Sequence, residues 1–204
     1  IAKRDSDTDA HNFRVTLYAV RLAESMKLKT SEIQALIKGA FLHDVGKIGV
    51  RDEILLKAGR LSGEEFSLMQ EHVRHGMDII SGSEWLGDAA QVVEGHHEKF
   101  DGSGYPLGKA GEAIPLLARI FAVADVFDAL TSRRPYKESL ACETALAILE
   151  QGRGTHFDPR ILDAFQPLAP ELYHSCADSD SQKLRNDLRA VITRYFSEGM
   201  IVYY

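Results

Sequence analysis

Apolar residues recur at helical spacing along nearly the whole chain, and no run shows convincing strand alternation. The spacing predicts a first helix over about residues 7–27, with His11, Val15, Tyr18 and Leu22 on one face and Asp7 one turn ahead of His11. Thr30-Ser31-Glu32 begins a second helix whose stripe is Ile33, Leu36, Ile37, Ala40 and Phe41. Continuing that period places Asp44, within His43-Asp44-Val45-Gly46-Lys47, on the same apolar stripe. Gly49 to Gly59 breaks the pattern and is expected to be a loop. Ser62-Gly63-Glu64-Glu65 forms a capping box, opening a helix that should turn Phe66, Met69, Val73, Met77 and Ile80 inward. His72 borders this stripe and reads equally well as a core residue or a ligand, whereas His75 points away from it, toward solvent.

A further helix from about Glu84 carries Trp85, Leu86, Ala89, Val92 and Val93 and ends at His96-His97. Adjacent helical residues project about 100° apart, so these histidines suit either the surface or two neighbouring metals better than one shared position. Asp101 to Ile114 is a glycine-rich loop around Tyr105-Pro106, able to approach a ligand closely or simply to run over the surface. Pro115 then opens a helix to about Leu130 that is apolar around most of its circumference, the signature of a buried central helix. Asp125 and Asp128 share a face in its middle, where carboxylates incur a large desolvation cost unless cations meet them. Arg133-Arg134-Pro135-Tyr136-Lys137 follows, either a solvated helix end or an anion clamp. Ser139 to Gln151 forms another amphipathic helix, and Phe157-Asp158-Pro159 introduces a short one. Pro167 and Pro170 mark a break before a polar Asp178-Ser179-Asp180-Ser181 stretch and a final helix through about Ser197.

Composition narrows the class. With 204 residues, 45% hydrophobic and 26% charged, the chain fits one large domain or one domain with an extension. A net charge of -6 argues against nonspecific binding to a nucleic-acid polymer. A secretory signal and any apolar run of membrane-spanning length are lacking, and Cys142 and Cys176 form no paired motif. A cytoplasmic protein is expected, or the cytoplasmic module of a longer, membrane-anchored one.

His11, Asp44 and Asp125 thus lie on apolar faces of three helices, with His72 beside a fourth. Side chains converging from different helices are how bundles build metal sites. Imidazole mixed with carboxylate suits iron, manganese, nickel or zinc better than calcium, and no thiolate site is present. An aspartate bridging two such ions would hold a hydroxide between them.

The ordered series His11, His43-Asp44, His72, His96-His97, Asp125 resembles the HD superfamily of metal-dependent phosphohydrolases. His43-Asp44-Val45-Gly46-Lys47, His96-His97-Glu98 and Asp101-Gly102-Ser103-Gly104-Tyr105-Pro106 are similar, more narrowly, to the HD-GYP subgroup. The match continues through Ile114-Pro115, the run Val123 to Thr131, Arg134-Pro135-Tyr136-Lys137 and Phe157-Asp158-Pro159.

The resemblance implies a compact all-α HD-type helical bundle over residues 1–168, with a C-terminal helical extension over 169–204. It implies hydrolysis of cyclic di-GMP, a bacterial second messenger, to pGpG or GMP. The family's metal ligands carry over to His11, His43, Asp44, His72, His96, His97 and Asp125. Some members hold a third metal through a glutamate where this chain has the shorter Asp7, so two ions are expected, with Asp7 reaching one directly or through water. Iron or manganese is the family's usual content. On this reading a metal-bridging hydroxide attacks phosphorus in line, with Asp44 as the bridge. Lys47 assists the leaving oxygen and Asp128 orients Lys47. Arg134 and Lys137 grip the second phosphate, while Gly104, Tyr105 and Pro106 shape the guanine end or receive a partner such as a diguanylate cyclase. A regulatory domain outside this chain and a homodimer belong to the same expectation. The rival readings are a phosphohydrolase of another nucleotide, a catalytically silent cyclic di-GMP sensor, and a purely structural helical scaffold.

Overall fold

The computed structural model of the chain describes residues 8–132, 138–177 and 181–196. Among these residues the fold is all-α, with one isolated bridge between Arg153 and Phe157 and no strand. Helix α1 (Thr8–Ser25) packs on α2 (Thr30–Leu42), and a 3-10 turn over Val45–Gly49 leads into the short α3 (Asp52–Leu55). Helix α4 (Gly63–Ser81) starts at the expected capping box. Ser62 Oγ accepts from the Glu65 amide at 3.2 Å, and the Glu65 carboxylate accepts from the Ser62 amide at 2.7 Å.

Three expectations for this half are corrected. The Gly49–Gly59 loop contains α3, because Asp52 and Glu53 give its first turn the acidic residues that a helix N-terminus favours. Phe66 is 46% exposed instead of inward, since α4 buries only the narrower stripe of His72, Val73, Gly76 and Ile80. The helix expected from Glu84 is a 3-10 segment over Glu84–Ala89 followed by α5 (Ala90–Gly95), with Trp85 48% exposed beneath the Lys38 ammonium.

The central helix is α6 (Leu116–Thr131), which starts just after Pro115. Leu117, Ala118, Ile120, Phe121, Val123, Ala124 and Phe127 are buried around it, and α1, α2, α5, α7 (Cys142–Gln151) and α8 (Pro159–Phe165) pack against it. Asp158 caps α8 by accepting from the Arg160 amide at 2.9 Å. Beyond the expected break, α9 (Ala169–Ala177) and α10 (Ser181–Tyr195) contribute Leu172, Cys176, Leu184 and Val191 to the same hydrophobic core. The segment expected as a C-terminal extension thus packs against the rest of the chain. No described helix is long and apolar enough to cross a membrane.

Phe127 is fully buried between Tyr18 and Phe165, with ring centroids 5.5 and 5.0 Å away. Phe127→Ala should lower stability by about 3–5 kcal/mol, read as a shift in the urea unfolding midpoint without a change in its slope.

Candidate metal centre

The site begins where α2 stops. Leu42 is its last residue, His43 keeps helical torsions, and Asp44 bends the chain into the Val45–Gly49 turn. That turn lies hard against α4. A Cβ on Gly46 would sit 1.9 Å from the His72 carbonyl oxygen and 2.3 Å from the Gly76 nitrogen, so only glycine fits. The approach brings His72 Nε2 to 3.7 Å from Asp44 Oδ1, while His43 Nε2 lies 3.3 Å from Asp44 Oδ2. The two carboxylate oxygens thus face different imidazoles.

Three of the histidines are aimed in the same way. The Nδ1 of His43 lies 2.8 Å from the Ala40 carbonyl, that of His72 2.7 Å from Met69, and that of His96 2.9 Å from Val93. A carbonyl only accepts, so each Nδ1 carries a proton; burial lowers the pKa of His72 and His96 and leaves their Nε2 lone pairs facing the site, whereas at His43 burial is outweighed by Asp44, which raises its pKa.

His96 and His97 do not serve separate positions. Helix α5 ends at Gly95, so both residues lie in a turn where the 100° rule no longer holds, and their rings stand 4.0 Å apart. With Asp44 and His72 they offer ligand atoms all within 4.8 Å of one another. His11, His43 and Asp125 form a second such group.

Asp128 was expected to orient Lys47, and the structure corrects this. Asp128 is fully buried, whereas the Asp125 side chain is 23% exposed at the site. The Asp128 carboxylate accepts from Arg14 Nε at 2.6 Å, His11 Nδ1 at 2.8 Å and Ser132 Oγ at 2.9 Å. Lys47 Nζ instead donates to Asp44 Oδ2 at 2.6 Å. One turn beyond Asp125 on α6, Asp128 faces α1 and braces His11. Arg14 escaped the sequence reading, although its place one turn after His11 was a usable signal.

The glycine-rich loop is fastened to the site. A Cβ on Gly104 would lie 2.3 Å from the Lys99 nitrogen and 2.5 Å from the His97 carbonyl oxygen, and Tyr105 N donates to that carbonyl at 3.2 Å. The Tyr105 ring stacks on His97 at 4.6 Å. Pro106, joined to Tyr105 by a cis peptide bond, is exposed. Glu98 is buried and accepts from the Leu107 and Lys109 amides at 2.8 and 3.1 Å, holding the loop's return. Its fastening role was not read from the sequence, where Glu98 appeared only as part of the family motif. His75, expected in solvent, is half-buried, with Gly49 close against its Nδ1. Asp7, Arg134 and Lys137 lie outside the described residues.

Charge in the first group is matched to a cation. Burial pushes the His96 pKa well below its usual value, reinforced by His97 and His43. Burial and the nearby His72 bring His97 down to about 3, and burial also lowers His72. For Asp44, burial favours the neutral acid, but His43 and Lys47 outweigh it and hold the carboxyl well below its normal range. Three neutral imidazoles and one ionised carboxylate are a donor set that fits a divalent transition metal.

A family model described as HD domain matches residues 1–161. The chain belongs to the HD domain family. Over 187 residues it is 44% identical to the cyclic di-GMP phosphodiesterase response regulator RpfG of Xanthomonas campestris, covering 91% of this chain and 50% of that protein. Over 165 residues it is 41% identical to a 3'3'-cGAMP-specific phosphodiesterase 2 of Vibrio cholerae, covering 80% of this chain and 32% of that protein. The chain thus spans half or less of the length of these curated relatives. A crystal structure of a cyclic GMP-AMP specific phosphodiesterase of V. cholerae superposes with a TM-score of 0.68 at 21% identity, covering 90% of this chain and 52% of that one. The family resemblance and the HD-type all-α fold read from the sequence are borne out.

Gly46→Ala should force the HD turn away from α4, costing about 1–3 kcal/mol and lowering metal content. Gly63→Ala, where a Cβ meets nothing within 4 Å, should change neither. Thermal unfolding with elemental analysis of both variants checks this.

Proposed function

We propose that this HD domain is a metal-dependent phosphodiesterase that hydrolyses cyclic di-GMP to pGpG or GMP. The observation that carries the reading is the position of Asp44 between the His72–His96–His97 group and the His11–His43–Asp125 group. Two divalent ions, iron or manganese by family habit, would be held by these residues and would supply an activated water and electrostatic relief for the phosphoryl oxygens. Asp125, 23% exposed where Asp128 is fully buried, is the carboxylate of α6 left open to solvent. Lys47 keeps further N–H donors beyond the one given to Asp44, which suits it to hydrogen-bond the departing 3′ oxygen. Asp128 and Arg14 act as positioning residues for His11. Arg134 and Lys137 grip the phosphate that is not cut. An input domain outside this chain, a diguanylate cyclase docked on Gly104-Tyr105-Pro106 and a homodimer belong to the same reading.

A second substrate is favoured by a specific comparison, the 41% identity to a relative named for 3'3'-cGAMP. Turnover of both cyclic dinucleotides by purified protein loaded with each candidate ion separates the two readings. Preference for cyclic di-GMP supports the first, and preference for 3'3'-cGAMP replaces it. Asp44→Ala should abolish metal binding and turnover together, and full activity in that variant would refute the site. Arg134→Ala should raise KM about 10-fold with kcat little changed, as loss of a charge-assisted hydrogen bond to a remote phosphate predicts.

A further inference from the structure

Phe66 is one of three large apolar residues that α4 leaves exposed, the others being Leu68 and Ile79 at 45% each. The apolar stripe of α4 buries Val73 and Ile80, yet Phe66, one turn before the half-buried Met69, leaves nearly half its surface open. A lone exposed apolar side chain needs no explanation. This one, however, is not alone: its ring meets Tyr105 edge-on, with centroids 6.0 Å apart and planes 83° to each other. Tyr105 in turn stacks on the metal-site residue His97 at 4.6 Å and 30°. A continuous aromatic wall therefore runs from His97 through Tyr105 to Phe66 and ends on an open ring face.

Glu65, next to Phe66 in the chain, is turned back onto the Ser62 amide at 2.7 Å and onto Lys57 Nζ. Phe66 lies six residues before His72 on the same helix, roughly 9 Å along its axis. The wall thus begins at the metal ligands, where a phosphate would be cut, and reaches outward by about the span of a nucleoside. Each purine base offers a π-face, and stacking on an aromatic side chain contributes whichever purine it is.

We propose that the exposed face of Phe66, held beside Tyr105 at the mouth of the metal centre, is the platform on which one purine base of the cyclic dinucleotide stacks. The proposal rests on the phosphodiesterase reading above and adds a substrate-contact residue that lies outside the family's motif. Phe66 binds the base and takes no part in the proton or phosphoryl chemistry. Its removal acts on substrate affinity and leaves the metals alone.

The test compares Phe66→Ala, Phe66→Leu and Phe66→Tyr with the wild-type protein on cyclic di-GMP, 3'3'-cGAMP and cyclic di-AMP. Metal content and thermal unfolding are measured on every preparation. Phe66→Ala should raise KM about 5-fold or more for the dinucleotide that the wild type cuts best, with kcat and metal content unchanged. Phe66→Tyr should restore the wild-type KM, and Phe66→Leu, apolar but without a π-face, should not. A KM within twofold of wild type in Phe66→Ala, or full rescue by leucine, overturns the stacking platform while leaving the phosphodiesterase reading intact. A wild-type protein that cuts none of the three overturns both.

Discussion

The contact between the Val45–Gly49 turn and α4 is the constraint on which the candidate metal centre depends. Asp44 and His72 come from helices remote in sequence, and they meet because glycine at position 46 lets one backbone rest almost directly on the other. Any side chain there would lift the Asp44 carboxylate away from the His72 imidazole and open the first ligand group. The same economy recurs at Gly95, where an added Cβ would lie 2.8 Å from the Ala118 Cβ. Small residues at these crossings allow α5 to reach α6 and deliver His96 and His97. The polar chemistry of the site is therefore set by apolar packing distances.

Burial acts on the donors in opposite directions, to one end. Burial lowers the pKa of His72, His96 and His97, while the Asp44 carboxyl is kept ionised by His43 and Lys47, and Asp44 in turn raises His43. Asp128 shows how the interior tolerates a further charge. Arg14 neutralises it, and its remaining capacity is taken by His11 and Ser132. A fully paired carboxylate of this kind is a brace and has no free lone pair to serve as a ligand, which separates it from Asp125 three residues earlier.

Much of this was legible from residue spacing. The 3.6-residue period located the first, second, fourth and sixth helices, and the Ser62–Glu65 box fixed the start of one of them. Asp44, Asp125 and Asp128 stood out because carboxylates on apolar stripes conflict with their surroundings. What spacing could not give was any contact across the chain. Asp128 and Lys47 looked like partners because both lay near the inferred site, yet each found a nearer one. His96 and His97 looked divergent because a helical projection was carried two residues beyond the end of a helix. Phe66 was assigned inward because a stripe counted from sequence has no width, whereas the groove that receives α4 does. Glu98 stood within a recognisable motif, but its purpose lies in amides nine and eleven residues away.

The shared aim of His43, His72 and His96, each tethered through Nδ1 to the carbonyl three residues earlier, divides the centre mechanically. Those rings are rigid outriggers of their own backbones and travel only as α2, α4 and α5 travel. His11 is guyed from across the bundle by the Asp128–Arg14 pair, so its bearing records the placement of α1 on α6. Helix α10 rests on both α1 and α2, with Arg194 Nη1 and Tyr195 Oη donating to Glu24 and Gln34 Nε2 donating to the Tyr195 carbonyl, so the last described helix buttresses the two helices that bring His11 and His43 together.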